Sequence, residues 1–350
     1  MNLLYPLLLP LLLWGMTGCS QQSSNLGLGE ERLSPDEAEH TAAMIEAIKA
    51  NSLERNPTGL VERFNQVKTL GCFDASLEIL QDLGKKLEQG IFVSGARYPA
   101  QLRFANATQH DDREGDFHGL SIKLQNTPGE SLWGAHGHQD FLLNSYPALF
   151  AADPGDFRDF IEATRDGQLW RYFVNPTHFY SIGIVLAGRA AIDNPFTIRY
   201  WSTTPYRHGD DTKSAVKYSV RPCSEARSAI DVKEHPDFLT DVMLAQLEQA
   251  EICLEFMVQF QTDPKKMPIE NASVTWRESD SPFIPLARIY IEQGPKTSEP
   301  TASQCESLTF NPWQTSEAHR PLGGINRTRK PIYAEIGRFR EEQNQLRSSQ

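Results

Sequence analysis

A chain of 350 residues, 39% hydrophobic and 23% charged, has the make-up of an ordinary globular protein and can bury a full core in one or two domains. Its formal net charge of −11 excludes a protein built mainly to hold nucleic acid, where cationic contacts to phosphate dominate.

The first residues stand apart in composition. Leu3 to Trp14 is almost wholly apolar, but the run is short and broken by Pro6 and Pro10. It is too poor for a membrane-spanning helix and reads as the apolar core of an export leader. Small residues then precede Cys19, as at the cleavage site of bacterial lipoproteins, although no Lys or Arg precedes the run. Plain secretion, with Cys19 lost in the leader, is the alternative. The expected organisation is a lipoprotein-type leader over 1–19, a polar tether over 20–33 and one domain over 34–350. The expected location is the bacterial cell envelope, membrane-anchored and facing the periplasm or the outside. Four more cysteines follow at wide, irregular spacing: Cys72, Cys223, Cys253 and Cys305. Without a CxxC pair they do not form a zinc site, and they are expected as buried free thiols, though an oxidising compartment could pair them.

Ser34-Pro35-Asp36-Glu37 carries a capping box with proline at the first helical position. Ala42, Met44, Ile45 and Ile48 follow at helical spacing, which predicts a helix ending near Asn51. From Gly71 the period changes to two, with Phe73, Ala75, Leu77 and Ile79 on one face of a strand. Further strands are expected over 101–106, 119–124, 140–144, 198–202, 215–220, 252–261, 273–276 and 284–293. A helix over 156–166 carries Phe157, Phe160 and Ile161, and one over 237–250 carries Leu239, Val242, Met243 and Leu247. Many short strands and few helices predict an α+β fold, an antiparallel β-barrel with helices packed outside.

The last stretch is the most pointed. Ala334 to Gln345 reads as a helix with Pro331 in its first turn. At 3.6 residues per turn, Arg329, Tyr333 and Arg340 share a stripe, with Arg338 on an adjoining face. A guanidinium one turn before a phenol favours the phenolate, and a phenolate suits ferric haem iron. From the helix alone, a core tyrosine beside surface arginines is the simpler reading.

The rest of the chain changes that balance, because from about Arg63 to Arg340 it resembles the catalase family, in particular its divergent catalase-related branch. That family places an arginine four residues before its iron-ligand tyrosine and others five and seven after it, as Arg329, Tyr333, Arg338 and Arg340 do. Leu102-Arg103-Phe104-Ala105-Asn106, the acidic Asp111-Asp112-Arg113 and Gly119-Leu120-Ser121-Ile122-Lys123 are similar to successive family segments. Asp153-Pro154-Gly155-Asp156-Phe157 is similar to its Asp-Pro motif, followed by a phenylalanine over the haem. The resemblance implies haem b bound through Tyr333, with Arg63, Arg103 and Arg340 pairing with its propionates. The family's peroxide-side motif Arg-x-x-His-x-Lys-x-x-Gly matches at Arg63, Lys68 and Gly71, but its histidine position holds Gln66. Where the family has asparagine two before a proline, Ser145 stands before Pro147, with Asn144 beside it. Glutamine is no base near neutral pH, and acid–base help is worth about 10² to 10⁴ in rate. His118 is expected near the barrel, and His136 and His138 in a solvated glycine-rich loop. The implied function is a haem protein reacting with hydrogen peroxide or organic or fatty-acid hydroperoxides, with weak catalase activity. The alternative is a non-enzymatic haem binder, carrier or sensor. Either is expected as a monomer or homodimer.

Overall fold

A computed structural model describes residues 26–224, 235–294 and 308–349. The leader with Cys19, the first part of the expected tether and Cys305 lie outside the described residues. In chain order the elements are α1 (Glu37–Arg55), β1 (Lys68–Ile79), β2 (Arg97–Asn106), β3 (His118–Gln125), β4 (His138–Asn144), α2 (Pro154–Arg165), α3 (Leu169–Val174) and α4 (Phe179–Gly188). Then come β5 (Tyr200–Trp201), β6 (Tyr206–Arg207), β7 (Ala215–Pro222), α5 (Phe238–Gln249), β8 (Ile252–Phe260), β9 (Ile284–Ile291) and the long closing helix α6 (Gly324–Ser348).

Alternating apolar residues drive the strands into one antiparallel sheet in the order β5-β4-β3-β2-β1-β9-β8-β7-β6, and β5 also pairs with β7. That extra pairing closes eight strands into a barrel and leaves β6 as a short flap on β7. Closure removes the open edges that a flat sheet would expose. The inward residues of β3, Leu120, Ile122 and Leu124, are fully buried. Phe92, from the β1–β2 connection, fills the interior, with its ring centroid 5.8 Å from that of Phe256 and 6.0 Å from that of Tyr218. The expected antiparallel barrel with helices packed on it is therefore the observed fold.

Four expectations need correction. Helix α1 starts at Glu37 rather than beside Ser34, whose backbone carbonyl, not its hydroxyl, accepts from Glu37 N. The expected strand at Ser273–Trp276 is an irregular loop, held by Asn271 Oδ1 accepting from Ser273 N. Helix α6 begins at Gly324, so Pro331 lies inside it rather than in its first turn. The thiols are not free: Cys223 and Cys253 form a disulfide, and Cys72 is disulfide-bonded as well. The cause is register, since β7 against β8 sets Pro222 opposite Leu254 and brings the next pair face to face. No spacing of cysteines in the sequence shows that.

Two helices went unpredicted. In α4 the run FYSIGIVLAG is too uniformly apolar for a period to show, and α3 is too short. The described part of the expected tether, 26–33, lies against the barrel. Gly29 N donates to Gln261 Oε1 at 2.8 Å, and Arg32 N donates to Glu270 Oε1. Gly29 has φ +71, and a Cβ there would lie 2.0 Å from the Thr212 carbonyl oxygen, so only glycine allows this approach. Arg327 of α6 ties the arm down through Glu31, Glu37 and Glu270. Burial opposes its charge, but these carboxylates outweigh it and hold the guanidinium firmly protonated.

Candidate functional site

Outside the barrel wall, α1, α2 and α6 enclose a second apolar cluster. Met44, Ala47 and Ile48 of α1 meet Ile161 of α2 and Ile332 of α6, with Phe64, Phe157, Phe160 and Tyr333 half-buried at its margin. The Asp153 side chain, accepting from Asp156 N at 3.0 Å, caps α2 behind Pro154 and so aims Phe157 and Phe160 at this cluster. Their rings lie nearly parallel, at 8°, with centroids 6.4 Å apart.

Tyr333 brings a phenol to the margin. Arg329, one turn earlier, donates from Nη2 to Tyr333 Oη at 3.1 Å and lies over its ring. Its other arm reaches Asn326 Oδ1 at 3.2 Å and Thr204 Oγ1 at 3.4 Å, so the fork is held from both sides. Burial works against the charge on Arg329, yet the Tyr333 and Tyr206 phenols outweigh it and raise its pKa. Arg340 is half-buried, two turns on. Arg338 does not join this stripe. Five residues from Tyr333 is a rotation of about 140°, and Arg338 pairs in solvent with Glu335 and Glu342.

The segment before β1 approaches from the other side. Val61 exchanges two hydrogen bonds with the Asn344 side chain of α6, through its N at 2.7 Å and its O at 3.2 Å. This carries Phe64 into the cluster that holds Tyr333. Arg63 donates to the Leu308 carbonyl at 3.0 Å. A cleft of about 230 Å³ opens here, lined by Arg55, Arg63, Phe64, Val67, Thr108 and His110 among others.

Gln66 sits at the barrel rim with φ +61, a left-handed conformation rare for glutamine. Its N donates to the Ala107 carbonyl at 3.0 Å, and its own carbonyl accepts from Arg103 Nη2 at 2.8 Å. Arg103 also gives Nε to Thr69 Oγ1 at 3.1 Å and is only 2% exposed. Arg103, expected as a propionate partner, thus commits one donor to the backbone at Gln66 and another to the Thr69 hydroxyl. The Gln66 amide lies over Gly119, where a Cβ would fall 2.0 Å from Oε1. That Oε1 is buried and has no hydrogen-bond partner.

Gly119 pairs with Asn144 across β3 and β4, which gathers Gln66, Asn144 and Ser145 at one rim. Asn144 Oδ1 accepts from Ser145 N at 2.9 Å, and Ser145 Oγ accepts from His118 N at 2.9 Å. His118 itself faces Asn106 Oδ1 at 2.9 Å and the Ala190 carbonyl at 3.1 Å, and burial lowers its pKa. Both ring nitrogens face acceptors, and the single N–H of the neutral ring donates to one of them, so it is a framework residue by the barrel. His136 is exposed in the loop before β4, but His138, expected in that solvated loop, opens β4 with its Nδ1 buried, and among the described residues no group of three or more His, Cys, Asp or Glu could hold a metal ion. Sequence reasoning missed Phe64 and Gly119, whose roles appear only when the rim is assembled. It also missed the buried chain from Lys68 Nζ to Asp112 Oδ1, at 2.7 Å, and on through Asn106 to His118.

Chemically, the arrangement suits a flat, apolar group with acidic edges. The apolar cluster offers a phenol and stacked rings with arginines near them, and the barrel rim offers a buried amide oxygen without a hydrogen-bond partner.

No family model matches the chain. It is 22% identical over 291 residues to the Allene oxide synthase-lipoxygenase protein of Plexaura homomalla, covering 73% of this chain and 26% of that protein. It is 24% identical over 250 residues to the Catalase-related peroxidase of Mycolicibacterium paratuberculosis, covering 65% and 73%. Among solved structures, a fungal catalase superposes with TM-score 0.65 at 16% identity, over 82% of this chain and 60% of that one. Catalase A from Saccharomyces cerevisiae gives TM-score 0.65 at 17% identity, over 82% and 62%. The chain thus spans under two thirds of the length of the first relative and of these catalases.

Proposed function

We propose that this chain, a divergent catalase-related member of the catalase family, holds haem b through Tyr333 and reacts with peroxides on the side of Gln66. Membership of that family implies haem. The observation that carries the tyrosine assignment is the 3.1 Å contact from Arg329 Nη2 to Tyr333 Oη beside an apolar cluster shared with Phe64 and Phe157. The unpartnered, buried Oε1 of Gln66 supports a ligand on the opposite side.

Bound there, haem supplies an iron able to cleave a peroxide O–O bond. Tyr333 would give the iron an oxygen ligand, and Arg329 would steady its negative charge. Phe157 and Phe64 would wall the group, and Arg63 and Arg340 would serve its carboxylates. The Gln66 amide can orient a peroxide by donating from Nε2 and accepting on Oε1, but it cannot take up the proton that peroxide cleavage moves. The Ser145 hydroxyl, which accepts from His118 N, keeps its own proton to donate. Weak dismutation of hydrogen peroxide follows, and the substrate class is hydrogen peroxide or organic hydroperoxides, fatty-acid hydroperoxides included. The names of the two sequence relatives, a peroxidase and an allene oxide synthase, support peroxide-type chemistry.

The test is the absorption spectrum of the haem-loaded chain, with and without peroxide, beside that of Tyr333→Phe. The variant should lose the tyrosinate-to-iron charge-transfer bands, and an unchanged spectrum rejects the ligand assignment. Gln66 also favours a second reading, a non-enzymatic haem binder, carrier or sensor, and a haem spectrum indifferent to every peroxide would select it.

The proposal extends to location: an exported lipoprotein anchored through Cys19, monomeric or a homodimer. The disulfides at Cys72 and Cys223–Cys253 support an oxidising compartment. Cys19→Ser should move the protein from the membrane to the soluble fraction.

A further inference from the structure

Helices α3 and α4 turn large apolar side chains to solvent. Trp170 is 61% exposed, Val174 60%, Phe179 56% and Leu186 76%. On α3 the pair is spaced by four and on α4 by seven, so each helix presents one apolar stripe. The opposite faces are pinned. Tyr172 Oη donates to Asp156 Oδ1 at 2.7 Å, and Ser181 Oγ donates to the Phe150 carbonyl at 2.6 Å. The stripes are therefore held in place rather than left loose.

Charge says what covers them. The chain carries 45 acidic residues, yet the stretch 167–192, which contains both helices, has none and includes Arg171 and Arg189. Arg171 is exposed and lies over the Trp170 ring at 5.6 Å, and Arg189 is exposed just after α4. Aromatic and aliphatic side chains flanked by arginines, on a protein that is acidic elsewhere, match an apolar surface bordered by anions.

We infer that the exposed face of α3 and α4 seats on the surface of an anionic lipid bilayer, with Trp170, Phe179 and Leu186 entering the interface and Arg171 and Arg189 meeting lipid phosphates. This surface is separate from the leader. It rests on exposure and charge and stands whichever peroxide the cofactor site takes. It lies next to that site, since Tyr172 of α3 packs on Phe160 of α2 with ring centroids 5.4 Å apart.

The experiment uses the full chain and vesicles of equal phosphatidylglycerol and phosphatidylcholine with brominated acyl chains. The emission of Trp170 is isolated by subtracting that of Trp170→Phe. It should shift to the blue and be quenched, less so with phosphatidylcholine alone. Arg171→Glu with Arg189→Glu should remove the preference for anionic vesicles. Phe179→Ser with Leu186→Ser should cut the quenching of Trp170 roughly tenfold at unchanged Tm. If the chain sediments with vesicles but the Trp170 emission does not respond, another segment makes the contact and the inference fails. It fails equally if analytical ultracentrifugation shows a dimer that Leu186→Ser dissociates, because a second copy then covers the face.

Discussion

Replacing Gln66 with histidine tests the central chemical argument. The backbone there is fixed from outside the side chain, by Ala107 accepting from Gln66 N and by Arg103 donating to Gln66 O. Its φ of +61 is one that histidine adopts more readily than most residues. The side chain runs over Gly119, which has no Cβ to obstruct a ring. The substitution should therefore change stability by less than about 1 kcal/mol and leave the fold intact. What changes is proton transfer. An imidazole of ordinary pKa can accept and return a proton near neutral pH, and such help is worth about 10² to 10⁴ in rate, or roughly 3 to 5 kcal/mol of barrier. The assay is loss of hydrogen peroxide per bound haem, with haem content and Tm measured on the same preparations. A gain below tenfold, at equal haem loading and equal Tm, would refute the view that the missing base limits turnover.

Three further outcomes are expected. Gly119→Ala places a Cβ where Gln66 Oε1 now lies, so the flexible amide must swing away; peroxide reactivity per haem should fall while Tm stays within a few degrees, and unchanged reactivity would remove Gln66 from the site. Cys223→Ser opens a disulfide with a sequence separation of 30, for which loop entropy gives about 3 to 4 kcal/mol, read as a fall in Tm equal to that caused by reductant at this bond. Burial lowers the His319 pKa to about 3 and that of His208 to about 4. The native state keeps both neutral while the unfolded chain protonates near pH 6.5, so their stabilisation is full above pH 6.5 and is lost as pH falls. By pH 4.5 His319 alone should cost about 3 kcal/mol, and His319→Gln should flatten the acid limb of a Tm profile; a profile unchanged in slope would contradict this.

The barrel was legible because Phe73, Ala75, Leu77 and Ile79 repeat with period two and sit on a half-buried wall. The contact between Arg329 and Tyr333 was legible for a related reason, since they lie one helical turn apart, and adjacency on a helix is a local property. The rim around Gln66 is not local. It joins the lead into β1, the start of β3 and the end of β4, and the interactions that fix it come from Arg103 and Ala107. Spacing alone could not show that Arg103 serves this backbone, nor that Cys223 meets Cys253, because both depend on register between strands far apart in sequence. Arg338 shows the limit of spacing even within a helix. Its interval from Tyr333 fits the family pattern, but two glutamates at helical distance draw it to solvent.

Gln66 carries two costs that folding does not require. A left-handed glutamine costs roughly 1 to 2 kcal/mol, and a buried amide oxygen without a donor about 1 to 3 kcal/mol. Gly119 would accept a smaller side chain there just as well. The ligand proposed above would supply the missing hydrogen-bond partner. Gln66→Ala separates the two accounts. Removing the unpartnered oxygen offsets the apolar packing that the rest of the side chain provides, so stability without haem should stay within about 1 kcal/mol of the parent. In the haem-loaded protein, affinity for cyanide, a small probe of the open side of the iron, should drop several-fold as its hydrogen-bond partner disappears. A lower Tm with unaltered cyanide affinity would make Gln66 a support of the rim and not a group that meets the substrate.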